Sequence, residues 1–466
     1  MPKSLGASFL MLVLAACASV GPDYRPPENS AATTPAATGA FQSAGPGVDG
    51  SAPLPERWWR LYNDPRLDGL VEQALSANTD LRVAQANLAQ AESVLREAEA
   101  RGTISTSVDG GASLARLAGT NRSLPGSVAY DFGLNASYPL DLNGRIRRAI
   151  EASSADIAAT AAARDFVRMS VAAATARAYT QVCSANYLLG VNRRVVALQR
   201  DTADATQRLF KGGRGTAFDV SRAETAVRTS EAALPVFEGR RQSALYLLAT
   251  LLGRAPADYP REAEGCTALP SLSRPLPVGD GAALIRRRPD IRQAERTIAG
   301  DTARIGVATA DLYPDIAIGG SVGLTGPLGD LGDTSAFRFS LGPLLSWSFP
   351  NRSVARARIA QADAAVQADL AAFDGTVIEA LRQTETALET YRRDIETAAA
   401  LTRASQSASL SEGQARRLFR FGRGDFLSLL DAQRSYARAE AESASAQTQL
   451  LDDQISIFLS LGGGWE

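Results

Sequence analysis

The residues of this sequence that can do chemistry are few, and one type is missing altogether. Its 466 residues include no histidine, which excludes Ser-His-Asp triads, the usual zinc-hydrolase ligand sets and imidazole acid–base catalysis. Residues 319–323, GGSVG, match the GxSxG pattern around a hydrolase nucleophile. This segment alternates like a strand, no helix follows it closely, and Ser321 has no histidine to activate it. Because no carboxylate cluster has metal-ligand spacing either, we expect no enzyme activity, no metal and no cofactor.

The charge balance gives no support for nucleic-acid binding. The chain has 49 Lys+Arg against 50 Asp+Glu, a formal net charge of −1, whereas a nucleic-acid-binding protein needs a basic surface. Only 6% of the residues are aromatic, and alanine is very frequent. This composition favours long helices with small-residue contacts over a bulky globular core.

Cys17 carries the clearest covalent chemistry. Residues 1–16 contain one lysine followed by an apolar run of about 12 residues, which is too short to span a bilayer and is typical of a secretory signal peptide. Leu14-Ala15-Ala16-Cys17 resembles the bacterial lipobox, in which the cysteine thiol is acylated and the preceding peptide removed. The alternative is an ordinary signal peptide with a chance cysteine. Since Ala18 rather than aspartate follows, we expect a lipoprotein facing the periplasm at the outer membrane of a Gram-negative bacterium.

The sequence after the signal peptide contains two copies of one repeat. Residues 80–84, DLRVA, recur as DIRQA at 290–294, and RLFKGGRG at 208–215 recurs as RLFRFGRG at 417–424. Two repeated motifs, separated by 210 and 209 residues, predict a tandem duplication. We therefore divide the chain into a signal peptide (1–16), a lipidated N-terminal tether (17–64), a first repeat (65–268), a connector (269–277) and a second repeat (278–466). The tether is rich in Pro, Ala, Gly, Ser and Thr, and order is expected to begin near Trp58 and Trp59.

Each repeat continues with a helix, at 79–101 or 289–311, and then two segments in which apolar and polar residues alternate. A period of two predicts strands with one apolar and one polar face. The clearest apolar positions are Val128, Tyr130, Phe132, Leu134, Ala136, Tyr138 and Leu140 in the first repeat, and Phe337, Phe339, Leu341, Leu345, Trp347 and Phe349 in the second. Each pair of strands is expected to form a hairpin, with its loop near 115–127 or 326–335.

These strands are long enough to cross a membrane. Their predicted 12 to 15 residues exceed the usual 5–6 and the 9–11 needed to span a bilayer. A half-buried sheet in a soluble protein is the alternative reading. Since four strands cannot close a barrel and lipid tolerates no open sheet edge, chains must pool their strands. Two chains would supply 8 strands, three 12 and four 16.

Two very long helices follow the strands. Arg145–Lys211 and 352–421 contain no proline, and 67 helical residues extend about 100 Å. Such rods must pack against one another as coiled coils. A glycine-containing turn ends each rod, and return helices follow at 216–252 and 425–461, the first of them kinked at Pro235. Strands in the membrane joined to rods in the periplasm indicate a conduit.

At this point the sequence resembles the TolC-type outer-membrane efflux factors, in particular their lipoprotein (NodT-like) branch. The motifs that carry this resemblance are VGPDYRPP at 20–27, PLDLNGR at 139–145, RRPDI at 287–291, ARIGVA at 303–308 and LDAQRS at 430–435. One departure is FPNRS at 349–353, where the family often has an aspartate-glycine-arginine step. The strand-to-helix junction of the second repeat is therefore expected to be built differently.

The resemblance implies an α+β membrane protein that forms a homotrimer. Each chain contributes four transmembrane strands to a shared 12-strand β-barrel, and its coiled-coil helices form a periplasmic α-barrel. The expected function is the exit duct of a tripartite efflux pump, which passively conducts small molecules. The expected partners are outer-membrane lipid, a periplasmic adaptor and an inner-membrane pump of the RND class. The alternatives are the exit duct of a type I protein-secretion system and a structural, periplasm-spanning coiled-coil lipoprotein.

The resemblance also suggests a periplasmic gate. It implies that Leu427 forms an apolar ring, Asp431 an acidic ring and Arg434 the charged partner of Asp431. Spacings of four and three residues place all three on one helical face. The alternative is an ordinary solvated pair. The two glycine turns, in which an adaptor would dock, are Gly212, Gly213, Arg214 and Gly215, and Gly422, Arg423 and Gly424.

Two cysteines remain once Cys17 is lipidated. Cys183 precedes the first turn by 29 residues, or about 44 Å of helix. The return helix ends about 55 Å from the same turn, and Cys266 follows between that helix and the connector. Both cysteines can therefore lie at a similar height, which allows either a disulfide in the oxidising periplasm or two buried thiols.

Overall fold

The computed structural model of this chain describes residues 19–115, 127–330, 332–350 and 352–465. They fold into two compact units, and both predicted repeats contribute to each. The first, here called the strand unit, contains the described part of Met1–Glu28 with Ala86–Ala161 and Gln293–Phe373. The second, the helix unit, contains Asn29–Gln85, Ala162–Arg292 and the described part of Asp374–Glu466.

A four-stranded antiparallel sheet dominates the strand unit. Its strands, in the sheet order β1-β2-β3-β4, are β1 (Ser105–Ala115), β2 (Ser127–Pro139), β3 (Asp315–Pro327) and β4 (Phe337–Ser346). Both predicted hairpins form, and the pairing of β2 with β3 joins the two repeats in one sheet. The strands have 10 to 13 residues, slightly fewer than predicted. The loop predicted at 115–127 lies mostly outside the described residues.

The register sorts every strand residue onto one of two faces. Phe132 lies opposite Gly110 and Leu324, and Val322 lies opposite Phe339, so the apolar positions of all four strands share a face. This face is uncovered in the single chain, where Phe339 is 77% exposed. The opposite face carries Ser, Gly, Asp and Asn. Alternation with a period of two therefore predicted both faces correctly.

Nine helices of seven or more residues are described, in chain order. They are α1 (Pro65–Ala77), α2 (Thr79–Ala100), α3 (Arg145–Lys211), α4 (Ala217–Glu231), α5 (Leu234–Leu251), α6 (Gly281–Arg287), α7 (Pro289–Ala310), α8 (Arg352–Arg420) and α9 (Phe426–Ser460). The predicted kink at Pro235 is a break between α4 and α5, because proline cannot donate to a preceding helical turn. Within the described ranges, no helix combines the length and the apolar character needed to cross a membrane.

Small residues form much of the helix packing, as the composition predicted. On α3, Ala172, Ala176 and Ala178 are completely or almost completely buried, together with Tyr179 and Val182. Alanine allows helix backbones to approach closely because it has no side chain beyond Cβ. Long helices can therefore pack here with few aromatic residues.

The expectation that order begins near Trp58 is wrong, because the structure describes an ordered chain from Ser19 onward. In the strand unit, the guanidinium of Arg148 donates to the carbonyls of Val20 and Gly21 at 3.1 and 3.3 Å and to Asp23 at 2.7 Å. Arg148 is only 4% exposed, so this segment covers a buried charge. Hydrogen bonds, which leave no apolar period in the sequence, hold the segment in place.

In the helix unit, the continuation of this segment is held in the same way. The carboxylate of Glu385 accepts hydrogen bonds from the backbone N–H groups of Gln42 and Ser43 at 2.8 and 2.9 Å. Residues Val48–Asp49 pair in parallel with Leu276–Pro277 of the predicted connector. Residues 19–57, which are rich in proline, glycine and serine, are therefore called the N-terminal strap. This strap is ordered because its polar backbone groups have fixed hydrogen-bond partners.

The two strand-to-helix junctions differ, as the sequence predicted. At the start of α3, the carboxylate of Asp141 accepts from the backbone N–H groups of Ile146 and Arg147 at 2.8 and 3.0 Å. Gly144 supplies a positive φ of 74° in this turn. At the start of α8, the bond between Phe349 and Pro350 is cis instead.

Candidate functional site

The predicted gate residues lie at the start of α9, and a side-chain cap fixes where that helix begins. The carboxylate of Asp425 accepts from the backbone N–H of Ser428 at 2.8 Å and from its hydroxyl at 2.6 Å. This contact satisfies one of the donors that every helix start leaves free. It also holds the pKa of Asp425 below its usual range, because the bonded hydroxyl and N–H favour the carboxylate.

Leu427, Asp431 and Arg434 share the exposed face of α9. Leu427 is 51% exposed, and Asp431 and Arg434 are exposed as well. The opposite face of the helix carries Leu429 and Leu430, both 2% exposed. All three predicted gate side chains are therefore accessible in the single chain. Among the described residues, however, no ion pair joins Asp431 to Arg434.

A buried polar contact that the sequence analysis missed orients this exposed face. Gln433 is 1% exposed, and its side-chain amide donates to the Thr202 hydroxyl on α3 at 2.7 Å and weakly to Glu412 on α8 at 3.5 Å. These bonds fix the rotation of α9 against α3 and α8. Gln433 belongs to the LDAQRS segment at 430–435. The signal that the sequence offered was a polar residue on the same stretch of helix as Leu429 and Leu430.

The two glycine turns have the same construction. Gly213 and Gly422 have φ angles of +70° and +69°, a left-handed conformation that favours glycine at a helix end. The next residues close the turns, since Arg214 N–H donates to Leu209 O at 2.8 Å and Arg423 N–H donates to Leu418 O at 2.9 Å. The repeat in the sequence is therefore a repeat in backbone geometry.

A close approach explains the last glycine of each turn. A Cβ added to Gly215 would lie 3.2 Å from the backbone nitrogen of Phe210. A Cβ added to Gly424 would lie 3.0 Å from the Cβ of Leu418. Gly212 and Gly213 have more room. Close packing thus favours glycine at 215 and 424, and a positive φ favours it at 213 and 422.

The turns expose arginine and apolar side chains together. Arg214 and Arg423 are exposed, Phe218 is 66% exposed and Phe421 74%. Beside the turns, a groove of about 810 Å³ separates the two helical hairpins. Its charged lining residues are Asp201, Asp204, Arg208, Arg214, Arg416 and Arg420. This end of the helix unit therefore offers a basic, partly apolar surface.

A disulfide joins Cys183 of α3 to Cys266. The sulfur atoms are 1.99 Å apart and the Cα atoms 4.9 Å apart. Next to it, the side-chain amide of Asn186 donates to the carbonyls of Glu264 and Cys266 at 3.0 and 2.7 Å. The segment after α5 is thus held on α3 by a covalent bond and two hydrogen bonds.

One buried acid in the helix unit was not predicted. Asp453 on α9 is 5% exposed, and one of its oxygens accepts from the side-chain amide of Gln449 at 2.9 Å. Burial raises its pKa to about 7, and the neighbouring carboxyl of Asp394 adds to this rise. Nothing in the sequence near Asp453 indicates this, because the acid on α8 that faces it is 59 residues away.

Cys17 and Ser321 are the two remaining residues that the sequence analysis singled out. Cys17 lies outside the described residues. Ser321 lies on the polar face of β3, where its hydroxyl is 2.8 Å from that of Ser340 on β4.

Comparison with known proteins adds a family and relatives. The sequence profile of the Outer membrane efflux protein family matches residues 70–254 and 282–463. Nodulation protein T of Rhizobium leguminosarum bv. trifolii is 28% identical over 459 residues, which cover 98% of this chain and 96% of that protein. The probable efflux pump outer membrane protein TtgC of Pseudomonas putida is 26% identical over 478 residues, which cover 100% of this chain and 96% of that protein.

A solved structure is similar over almost the whole chain. The outer-membrane channel OprN has a TM-score of 0.87 and 34% sequence identity, covering 96% of this chain and 100% of that one.

Proposed function

Because this chain belongs to the outer membrane efflux protein family, we propose that three copies of it form one channel with a shared barrel. The family and the fold class predicted from the sequence are confirmed, and the protein is an outer-membrane channel of an efflux system. One observation carries the sharing of strands between chains, and the resemblance to the TolC-type factors supplies the number three: the four-stranded sheet has an uncovered apolar face, and β1 and β4 are open edges. Lipid does not tolerate open edges, so neighbouring chains must pair with them. Three chains supply 12 strands.

The proposed partners follow from the two ends of such a channel. The apolar face of the sheet contacts outer-membrane lipid, and the glycine turns contact a periplasmic adaptor that connects the channel to an inner-membrane pump of the RND class. TtgC carries the name of an efflux pump component, which supports efflux over protein secretion. The channel itself is proposed to be passive and without enzyme activity, since its sequence offers no histidine and its GxSxG serine has no base. Lipidation of Cys17 stays a prediction.

The gate is proposed to be the exposed face of α9. Leu427, Asp431 and Arg434 are exposed, no ion pair to Asp431 or Arg434 occurs among the described residues, and the buried Gln433 orients the face that carries them. In a trimer, three Asp431 carboxylates around a narrow axis repel one another unless cations or neighbouring arginines lie between them. Since Arg434 does not pair with Asp431 inside one chain, we propose that it reaches Asp431 of a neighbouring chain.

The first prediction concerns this acidic ring. Asp431→Ala removes three negative charges from the constriction and the bonds that they make to arginine, so the gate opens more readily. We expect a several-fold rise in single-channel conductance in planar lipid bilayers. Glu92→Ala, at an exposed position of α2, is the matched control and should conduct like the wild type. Equal conductance of Asp431→Ala and the wild type would refute the assignment.

The second prediction concerns the glycine turns. Arg423→Glu reverses an exposed charge without touching the glycines that form the turn. Adaptor retained by the immobilised channel should fall several-fold, because the basic surface at this end loses its complementarity. Arg96→Glu makes the same charge reversal on α2 and should leave adaptor retention unchanged. Full adaptor binding by Arg423→Glu would count against docking at this turn.

The third prediction concerns the cysteines. We propose that the Cys183–Cys266 disulfide forms in the periplasm and holds the segment after α5 on α3. Denatured protein, kept free of reductant, should then show no thiol that reacts with a maleimide, and two such thiols after reduction. Labelling of both cysteines before reduction would show that they are free thiols.

A further inference from the structure

One row across the four-stranded sheet has charged residues at its two ends and glycines between them. The register places Asp109 of β1 opposite Gly133 of β2, Gly133 opposite Gly323 of β3, and Gly323 opposite Arg338 of β4. All four lie on the polar face of the sheet. Two adjacent strands therefore present no side chain at this level.

Arg338 uses the space above these glycines. Its guanidinium reaches across β3 to the carboxylate of Asp131 on β2, with a nitrogen–oxygen distance of 2.5 Å. A Cβ added to Gly133 would lie in ordinary contact with that guanidinium, at 3.8 Å, whereas one added to Gly323 would clash with the carbonyl oxygen of Phe132 at 2.3 Å. The close approach of β3 to β2 therefore favours glycine at 323, and the arginine side chain crosses a row in which β2 and β3 present no side chain.

Asp109, at the other end of the row, forms hydrogen bonds but no ion pair among the described residues. One oxygen of Asp109 accepts from the side-chain amide of Asn135 at 2.5 Å and weakly from Ser107 at 3.4 Å. No ion pair to Asp109 occurs among the described residues. The only other charge on this face of the described strands is Asp315, which begins β3 and pairs with Arg145 at 3.1 Å. The middle of the polar face therefore has two acids and one base.

Stability does not explain this arrangement. The side chains of Arg338 and Asp131 are 50% and 49% exposed, and exposed ion pairs contribute little to folding. What the pair does fix is the position of charge. It holds the Arg338 guanidinium over the centre of the sheet, where it neutralises the charge of Asp131. The negative charge of Asp109 is not neutralised by an ion pair among the described residues.

We propose that Asp109, Asp131 and Arg338 form a charge-selecting ring in the wall of the barrel, which favours cationic solutes and is separate from the gate on α9. The inference rests on the proposed function, because three chains must place their polar faces around one lumen. Such a ring contains six carboxylates and three guanidiniums and keeps a net negative charge. Charged rings of this kind set ion selectivity where solutes pass within the screening length of the wall, about 8 Å in physiological salt.

The test is the reversal potential of purified channels in planar bilayers under a tenfold KCl gradient. The wild type should prefer potassium over chloride. Arg338→Gln uncovers Asp131 and should raise the potassium-to-chloride permeability ratio at least twofold. The double variant Asp109→Asn with Asp131→Asn leaves only arginine in the ring and should reverse the preference toward chloride.

Controls separate charge from folding. Arg338→Lys keeps the charge and should retain the wild-type ratio, and Ser340→Ala changes a neutral residue on the same face of β4 and should do likewise. Each variant is compared as a trimer on a native gel before recording. If variants that conduct all share the wild-type reversal potential, the ring is overturned and the proposed channel stands. If the wild-type chain forms no trimer and no conducting pore, the proposed function itself fails.

Discussion

Backbone hydrogen bonding in lipid is the constraint on which this structure depends. A strand that crosses a bilayer finds no water for its N–H and C=O groups, so every such group needs a partner strand. This chain pairs β1 with β2, β2 with β3 and β3 with β4, and leaves the outer sides of β1 and β4 open. A single copy is therefore chemically incomplete, and the duplication in its sequence is the device by which one chain supplies four strands instead of two.

The helices meet a different requirement: they must extend over a long distance, and they need few reactive side chains to do so. α3 and α8 run for 67 and 69 residues, and alanine at their contacts lets them approach closely without large side chains. The points where polar groups are buried are therefore informative. Arg148 holds the N-terminal strap, Gln433 orients the gate face, and the Cys183–Cys266 bond holds the segment after α5. Each fixes a segment whose apolar contacts alone would not position it.

Local patterns predicted most of this fold from the sequence, and long-range partners account for what they missed. The period of two gave the strands and both faces, the absence of proline gave α3 and α8, and the repeated glycine motif gave the turns. The ordered strap was missed because its partners lie far along the chain: Arg148 is 128 residues from Val20, and Glu385 is 343 residues from Gln42. The buried pair of Asp453 with Asp394 and the contact of Arg338 with Asp131 also depend on register and packing that a single sequence does not display. For the gate, helical spacing predicted the shared face, but the pairing of Asp431 with Arg434 is absent within one chain.

The shared barrel is tested most directly by crosslinking the two open edges. Cysteines replace Ser105 or Ser107 on β1 and Ser340 or Ser346 on β4, and each β1 variant is combined with each β4 variant in one chain. Oxidation in the outer membrane should link β4 of one chain to β1 of the next, giving dimers and trimers on a denaturing gel and nothing larger. Single-cysteine chains should give no trimer. Chains that stay monomeric in every combination, or ladders that extend beyond three, would contradict a barrel shared by three copies.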